Sequence, residues 1–123
     1  MKRDMELVRK LLFFFEEKTD PKHVQVPPIE GYSETLIKYH CVLLHDAGLI
    51  FCEPVKSSSS DRPIYVIPFE LSWAGHEFLE KIRSETVWAK IKSHAQEKSL
   101  SLSFNIINEL AQRVVTSALG AFP

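Results

Sequence analysis

Residues 33–50, SETLIKYHCVLLHDAGLI, carry the signals for both ends of a helix and for the strand that follows it. Ser33 can accept a hydrogen bond from an amide of the first helical turn. Gly48 stands where a left-handed residue closes a helix, and Leu49 is then placed to contact Leu44, as in a Schellman motif. Because nearby residues specify both ends, the segment predicts a central helix that leads directly into a strand.

The central helix has an apolar face and a more polar one. At about 100° per residue, the apolar face is predicted to be buried, and its residues are Leu36, Ile37, His40, Leu43, Leu44 and Ala47. The opposite face would meet the bases if the helix entered a DNA major groove, and its residues are Glu34, Thr35, Lys38, Cys41, Val42 and His45. This second face offers few of the side chains that recognise bases in a DNA major groove.

Before the central helix, the chain predicts one helix and one short strand. Asp4 can cap a helix whose apolar residues recur at helical spacing as far as Phe15. The alternating run HVQV, residues 23–26, predicts an edge strand, because the two prolines that follow exclude a helix. A complete helix-turn-helix would have its first helix here, so the comparison with that motif is weakened.

After the central helix, two apolar segments predict a β-hairpin of the kind called a wing. Residues 49–55 and 63–71 are rich in β-prone side chains, and a polar loop with four consecutive serines joins them. The loop is typical of a hairpin tip, and a phosphate-contacting or modified site is the alternative. We therefore predict an α+β fold: a single domain, 1–123, with a winged-helix-like core at residues 1–83.

Residues 84–123 predict C-terminal helices that pack on this core or form a dimer contact. The last helix, about 103–119, has apolar residues at three- and four-residue steps and few charges, so it needs covering on more than one side. It either packs across the domain or pairs with its copy in a symmetric homodimer. The residues predicted for that contact are Phe104, Ile107, Ala111, Val114 and Ala118.

The composition limits the classes of function. A net charge of −1 argues against strong non-specific affinity for nucleic acid, although a local basic patch stays possible. No apolar run is long enough to cross a bilayer, and the N-terminal residues lack the features of a signal peptide. The two cysteines, Cys41 and Cys52, indicate reduced thiols rather than a disulfide framework. We therefore expect a soluble, cytoplasmic protein without a membrane partner.

No segment carries a recognisable catalytic or metal-binding motif. The chain has no GxSxG elbow and no glycine-rich phosphate loop. Cys41 and His45 lie four residues apart and can present two ligands to one zinc, but structural zinc sites need four ligands, usually in tight local pairs. Buried thiols and hydrogen-bonded core histidines are the simpler interpretation. We expect no enzyme activity, no catalytic residue, no metal and no cofactor.

Four blocks of the sequence carry a family resemblance: MKRDMELVRKLL, EGYSETLIKYHCVLLHDAGLI, LSWAGHEFLEKIRSETVWAKIK and SLSFNIINELA. The positions that match are Arg3, Asp4, Tyr32, His40, Leu43, Leu44, Gly48, Leu49, Trp73, Gly75, His76, Phe78, Leu79, Thr86, Val87 and Trp88. The chain resembles the domain-of-unknown-function family 2513, a group of short bacterial and phage proteins. The resemblance implies a bacterial, cytoplasmic and often prophage-carried protein, and it implies no activity, ligand or catalytic residue. Packing does not obviously demand His40 and His76, and buried imidazoles bonded to backbone carbonyls would explain both.

Two classes of function stay open at this stage. The first is a regulatory or accessory protein that binds double-stranded DNA, as winged-helix domains often do. The residues predicted to bind nucleic acid are Thr35, Lys38, His45, Lys56, Arg62, Lys90 and Lys92. The second is a protein–protein adaptor, in which the same winged-helix-like core and the apolar last helix contact a partner chain. The topology favours DNA binding and the charge favours the adaptor, and we lean narrowly to DNA binding.

Overall fold

The computed structural model describes residues 1–56 and 63–120. Within these ranges the chain forms five helices and one two-stranded antiparallel sheet, so the predicted α+β class is confirmed. The elements, in chain order, are α1 (Met5–Glu17), α2 (Glu34–Asp46), β1 (Ile50–Lys56), β2 (Pro63–Leu71), α3 (Trp73–Ile82), α4 (Glu85–Glu97) and α5 (Phe104–Leu119). The chain divides into two compact units, the first from Met1 to Leu79 and the second from Glu80 onward.

Helix α2 begins and ends where its capping residues predict. The hydroxyl of Ser33 accepts a hydrogen bond from a first-turn amide at 3.2 Å. Gly48 has a φ angle of +74°. Its N–H donates to the carbonyl oxygen of His45, and the N–H of Leu49 donates to that of Leu44, both at 2.9 Å. These two bonds form the predicted Schellman motif, so the helix is terminated by its own sequence.

The chain leaves α2 directly into the predicted hairpin. Strands β1 and β2 are antiparallel neighbours, with Ile50 opposite Leu71 and Val55 opposite Tyr65. A bulge between Phe51 and Cys52 shifts the register. The two strands are therefore neighbours as predicted. The serine loop that was predicted to join them lies outside the described residues.

The predicted strand at residues 23–26 is wrong. This segment makes one backbone hydrogen bond to the sheet, from the N–H of Val24 to the carbonyl oxygen of Pro68 at 3.0 Å. Pro68 has no N–H with which to return a bond, and Pro27 and Pro28 prevent further pairing. The segment therefore lies beside β2 without becoming a third strand.

The face of α2 that would meet DNA in the regulator hypothesis is partly buried. Cys41 and Val42 are only 2% and 4% exposed, whereas Ala47, predicted to be buried, is exposed. The cause is the hairpin, because α2 packs against both of its strands. Ile37 and Leu44 are buried as expected, beneath α1 and the sheet.

The start of α3 is bonded to the end of α2. The N–H of Ser72 donates to the carbonyl oxygen of Leu49 at 3.0 Å, and its hydroxyl donates to the carbonyl oxygen of Gly48. The same hydroxyl accepts a hydrogen bond from the N–H of Gly75 at 3.0 Å. Ser72 therefore caps α3 while it satisfies backbone carbonyls that follow α2.

In the second unit, α4 and α5 contact each other. Their buried side chains are Trp88, Ile91 and Ala95 on α4, and Ile107 and Ala111 on α5. Helix α4 is closed by Ser99 at a position where glycine is usual, and Ser99 adopts the left-handed conformation there with a φ angle of +55°. Among residues 1–56 and 63–120, no helix combines the length and apolar character that crossing a bilayer requires.

Candidate functional site

Lys38 on α2, predicted to bind DNA, has partners within its own unit. Its ammonium nitrogen lies 3.1 Å from a carboxylate oxygen of Glu34 and 5.3 Å from the centre of the Tyr65 ring. The Lys38 side chain is 36% exposed, so the ion pair contributes little to stability. The pair nevertheless holds the Lys38 ammonium group beside Glu34, one turn earlier on the same helix. Thr35, beside it, is exposed.

His45, also predicted to bind DNA, lies against a thiol. Its Nδ1 atom is 3.0 Å from the Sγ atom of Cys52 on β1, and the imidazole is half-buried. Burial raises the pKa of the Cys52 thiol above its usual range. Burial, and to a lesser extent the nearby Cys52, raises the pKa of Cys41 to about 12. Both thiols are therefore protonated near neutral pH, unlike an activated nucleophile.

The described residues contain no group of three or more His, Cys, Asp or Glu side chains that could hold a metal ion. Cys41 is buried, and His45 and Cys52 are half-buried. His40, the predicted core histidine, is fully buried, and both its ring nitrogens have backbone partners. His76 is exposed, so the prediction of a buried imidazole is confirmed for His40 and wrong for His76.

The other residues predicted to bind nucleic acid belong to different parts of the chain. Lys56 is exposed at the end of β1, in the first unit. Arg62 lies outside the described residues. Lys90 and Lys92 are on α4, in the second unit, where the ammonium group of Lys92 lies 5.7 Å from the centre of the Trp88 ring. Lys90 lines a groove in that unit.

A groove of about 490 Å³ lies between α4 and α5. Its floor is apolar and consists of Leu110, Val114 and Ala118, which follow one another at four-residue steps along α5. Side chains that carry or can gain positive charge stand on both walls. The residues that line the whole groove are Lys90, His94, Leu110, Arg113, Val114, Ser117 and Ala118. The groove therefore pairs an apolar surface with a basic rim.

Helical periodicity accounts for the arrangement of this groove. Residues four apart on a helix share a face, so α4 presents Lys90 and His94 together, and α5 aligns its three apolar floor residues. Behind them, the buried Ile91 and Ala95 of α4 and the buried Ala111 of α5 belong to the core of the unit. The packed helix pair thus supplies a preformed surface.

The basic side chains of the groove are only weakly neutralised. Arg113 lies 3.6 Å from Glu109, and since both side chains are about 70% exposed the pair is weak in water. Lys90 and His94 make no ion pair with another residue that the structure describes. A ligand with negative charge would therefore meet cations that do not first have to leave strong partners.

The apolar stripe predicted for a dimer contact is divided by the structure. Ile107 and Ala111 are already buried within the chain, and Phe104 is half-buried. Val114 and Ala118 instead line the groove. The sequence reasoning missed His94 and placed Lys90 in a phosphate-binding patch, although their four-residue spacing was a usable signal for one shared face.

The fold and the groove define a small α+β protein whose helical unit presents an apolar, basic-rimmed surface. The family described as "Hypothetical protein (DUF2513)" matches residues 2–101. The chain is also 36% identical over 120 residues to an "Uncharacterized protein" of Haemophilus influenzae, and the alignment covers 97% of this chain and 99% of that protein. No solved structure matches. The chain belongs to the DUF2513 family, as the four sequence blocks predict.

Proposed function

We propose that this protein is a protein-interaction adaptor that binds a partner chain in the groove between α4 and α5. The observation that supports this proposal is the combination of an apolar floor with a basic rim in one preformed groove. Protein-binding surfaces commonly have an apolar centre surrounded by polar residues. The groove also has the volume of a typical ligand-binding cleft.

The surroundings of the predicted DNA-reading residues favour this adaptor over a DNA-binding regulator. Base recognition uses side chains such as Arg, Lys, Asn and Gln that are free to reach base edges. On α2, Lys38 is paired with Glu34, and Cys41 and Val42 are buried beneath the hairpin. The net charge of −1 also gives little attraction for a phosphate backbone.

The adaptor proposal is tested by selecting peptides from a random display library on the full-length chain. The selection is repeated with Val114→Glu, which places a carboxylate in the apolar floor. It is also repeated with Gln112→Glu, which adds the same charge to an exposed position of α5 outside this groove. Circular dichroism confirms that both variants fold.

We expect peptides that bind the wild-type chain and the Gln112→Glu variant but not the Val114→Glu variant. Either of two results would contradict the proposal. One is the enrichment of no peptide, and the other is the equal retention of the same peptides by all three chains.

The alternative of DNA binding is tested by titrating random duplex DNA at low salt and following its fluorescence anisotropy. The adaptor proposal predicts no binding even at low salt, where phosphate contacts are strongest. Binding that weakens steeply as salt is added would instead support DNA binding, and Lys38→Ala and Lys56→Ala would then identify the contacts.

A further inference from the structure

We infer that the segment bound in the groove is an acidic amphipathic helix of about two turns. This inference rests on the proposed function and adds the chemistry and the shape of the partner. It follows from the length of the groove, the spacing of its floor residues and the sign of the charges on its walls.

The length and spacing fit a helix. The floor runs from Leu110 to Ala118 on α5, which at 1.5 Å per residue is about 12 Å. That is about two helical turns. Floor side chains recur once per turn, so the partner needs apolar side chains that also recur once per turn, as in an amphipathic helix with anchors at positions i, i+4 and i+7.

The charge of the walls specifies acidic residues beside that apolar stripe. Lys90 and His94 stand on the α4 wall, and Arg113 stands on the α5 wall. Glutamate or aspartate residues on either side of the partner's stripe would meet the charged groups of Lys90 and Arg113 while the stripe covers the floor. A basic helix would bring like charges together around a partly desolvated surface, which disfavours binding.

The same charges disfavour a second copy of this chain as the occupant. In a two-fold dimer formed through this groove, the same patch lies on both subunits. The copy would then bring Lys90 and Arg113 toward an identical set of cations. A partner of opposite charge avoids this repulsion, so a different protein fits the groove better.

The experiment uses three display libraries of helical peptides on the full-length chain. All three share one template with apolar residues at i, i+4 and i+7. They differ only at the flanking positions, which carry glutamate in the first library, lysine in the second and glutamine in the third. Each selection is repeated with Lys90→Glu and with Lys98→Glu. Lys98 is an exposed residue at the end of α4 that does not line the groove, so both variants change the net charge equally.

We expect enrichment from the glutamate library alone. Affinity for the enriched peptides should fall about tenfold with Lys90→Glu and less than about twofold with Lys98→Glu, because a local charge acts more strongly than a distant screened one. Equal enrichment from all three libraries, or enrichment from the lysine library, would overturn the inference while the adaptor proposal stands. No enrichment from these libraries, together with none from the random library, would overturn both.

Discussion

A Cβ atom added to Gly75 would lie 2.0 Å from the carbonyl oxygen of Leu49. The first turn of α3 therefore lies against the backbone that leaves α2, and only glycine fits at this position. We predict that Gly75→Ala lowers the free energy of unfolding by about 3 kcal/mol, because an overpacked site forces backbone to move. Urea unfolding followed by circular dichroism measures the change.

Gly120→Ala is the matched control for this variant. Gly120 ends α5 with a φ angle of −65°, and an added Cβ would approach the Thr116 carbonyl oxygen only to 3.3 Å. We expect a change within about 0.5 kcal/mol. Equal effects at the two glycines would contradict the steric explanation for Gly75.

Ser99 offers a substitution that stabilises the protein. It closes α4 in the left-handed conformation, which costs a residue with a side chain about 1 kcal/mol relative to glycine. We predict that Ser99→Gly raises the free energy of unfolding by about 1 kcal/mol. The same substitution at Ser93, an exposed position inside α4, should lower it by about 0.5 kcal/mol. A thermal melt of both variants measures the opposite signs, and two shifts of the same sign would refute the prediction.

His40 is predicted to be the neutral tautomer with its proton on Nδ1. The Nδ1–H donates to the carbonyl oxygen of Leu36 at 2.9 Å, and Nε2 accepts from the backbone N–H of Asp4 at 2.8 Å. Long-range ¹⁵N–¹H correlation spectra of the imidazole read the tautomer directly. Protonation of Nε2 at neutral pH would contradict this assignment, since the Asp4 amide would then have no acceptor.

The same geometry predicts the effect of removing the His40 ring. His40→Leu leaves the partly buried Asp4 amide without its acceptor, whereas the Leu36 carbonyl keeps the helical hydrogen bond from the N–H of residue 40. We expect a loss of about 1–3 kcal/mol in the free energy of unfolding. The control is His76→Leu, because His76 is exposed and should change stability by less than about 0.5 kcal/mol. Comparable losses in the two variants would argue against this account of His40.

The thiols give a prediction about pH. Because burial raises the pKa of Cys41 to about 12, the folded protein holds almost no Cys41 thiolate at mildly alkaline pH. An aromatic disulfide reagent should therefore label Cys41 slowly in the folded chain and rapidly in urea. Since the pKa in the folded state is the higher one, stability should decline as the pH rises from 9.0 toward 12. The Cys41→Ala variant should lose this part of the decline, and rapid labelling of Cys41 itself in the folded chain would refute the assignment.

The ends of α2 could be predicted from the sequence because Ser33 and Gly48 act within a few residues of their own positions. The hairpin was predicted from its two apolar, β-prone segments. The burial of Val42 could not be predicted, since helical periodicity gives the faces of a helix but not how many neighbours cover them. The groove was missed for a related reason. Lys90 and Val114 line the same groove only because of the way α4 packs on α5, and the sequence does not give that packing.

The strand predicted at residues 23–26 shows a second reason why sequence patterns alone do not determine the fold. An alternating pattern predicts which side chains face a sheet, but a ladder also needs a partner that can donate and accept hydrogen bonds. Pro68, some forty residues further along the chain, removes that donor. The residue that decides the outcome is therefore remote in sequence from the segment it affects.

Leu49 has a role in two helices at once, because its N–H completes the stop of α2 while its carbonyl oxygen accepts the N–H of Ser72 at the start of α3. Neither terminus can fray without loosening the other. Amide hydrogen exchange at Leu49 and Ser72 should therefore proceed with a common opening free energy, so that these two helices behave as one cooperative folding unit joined through a single residue.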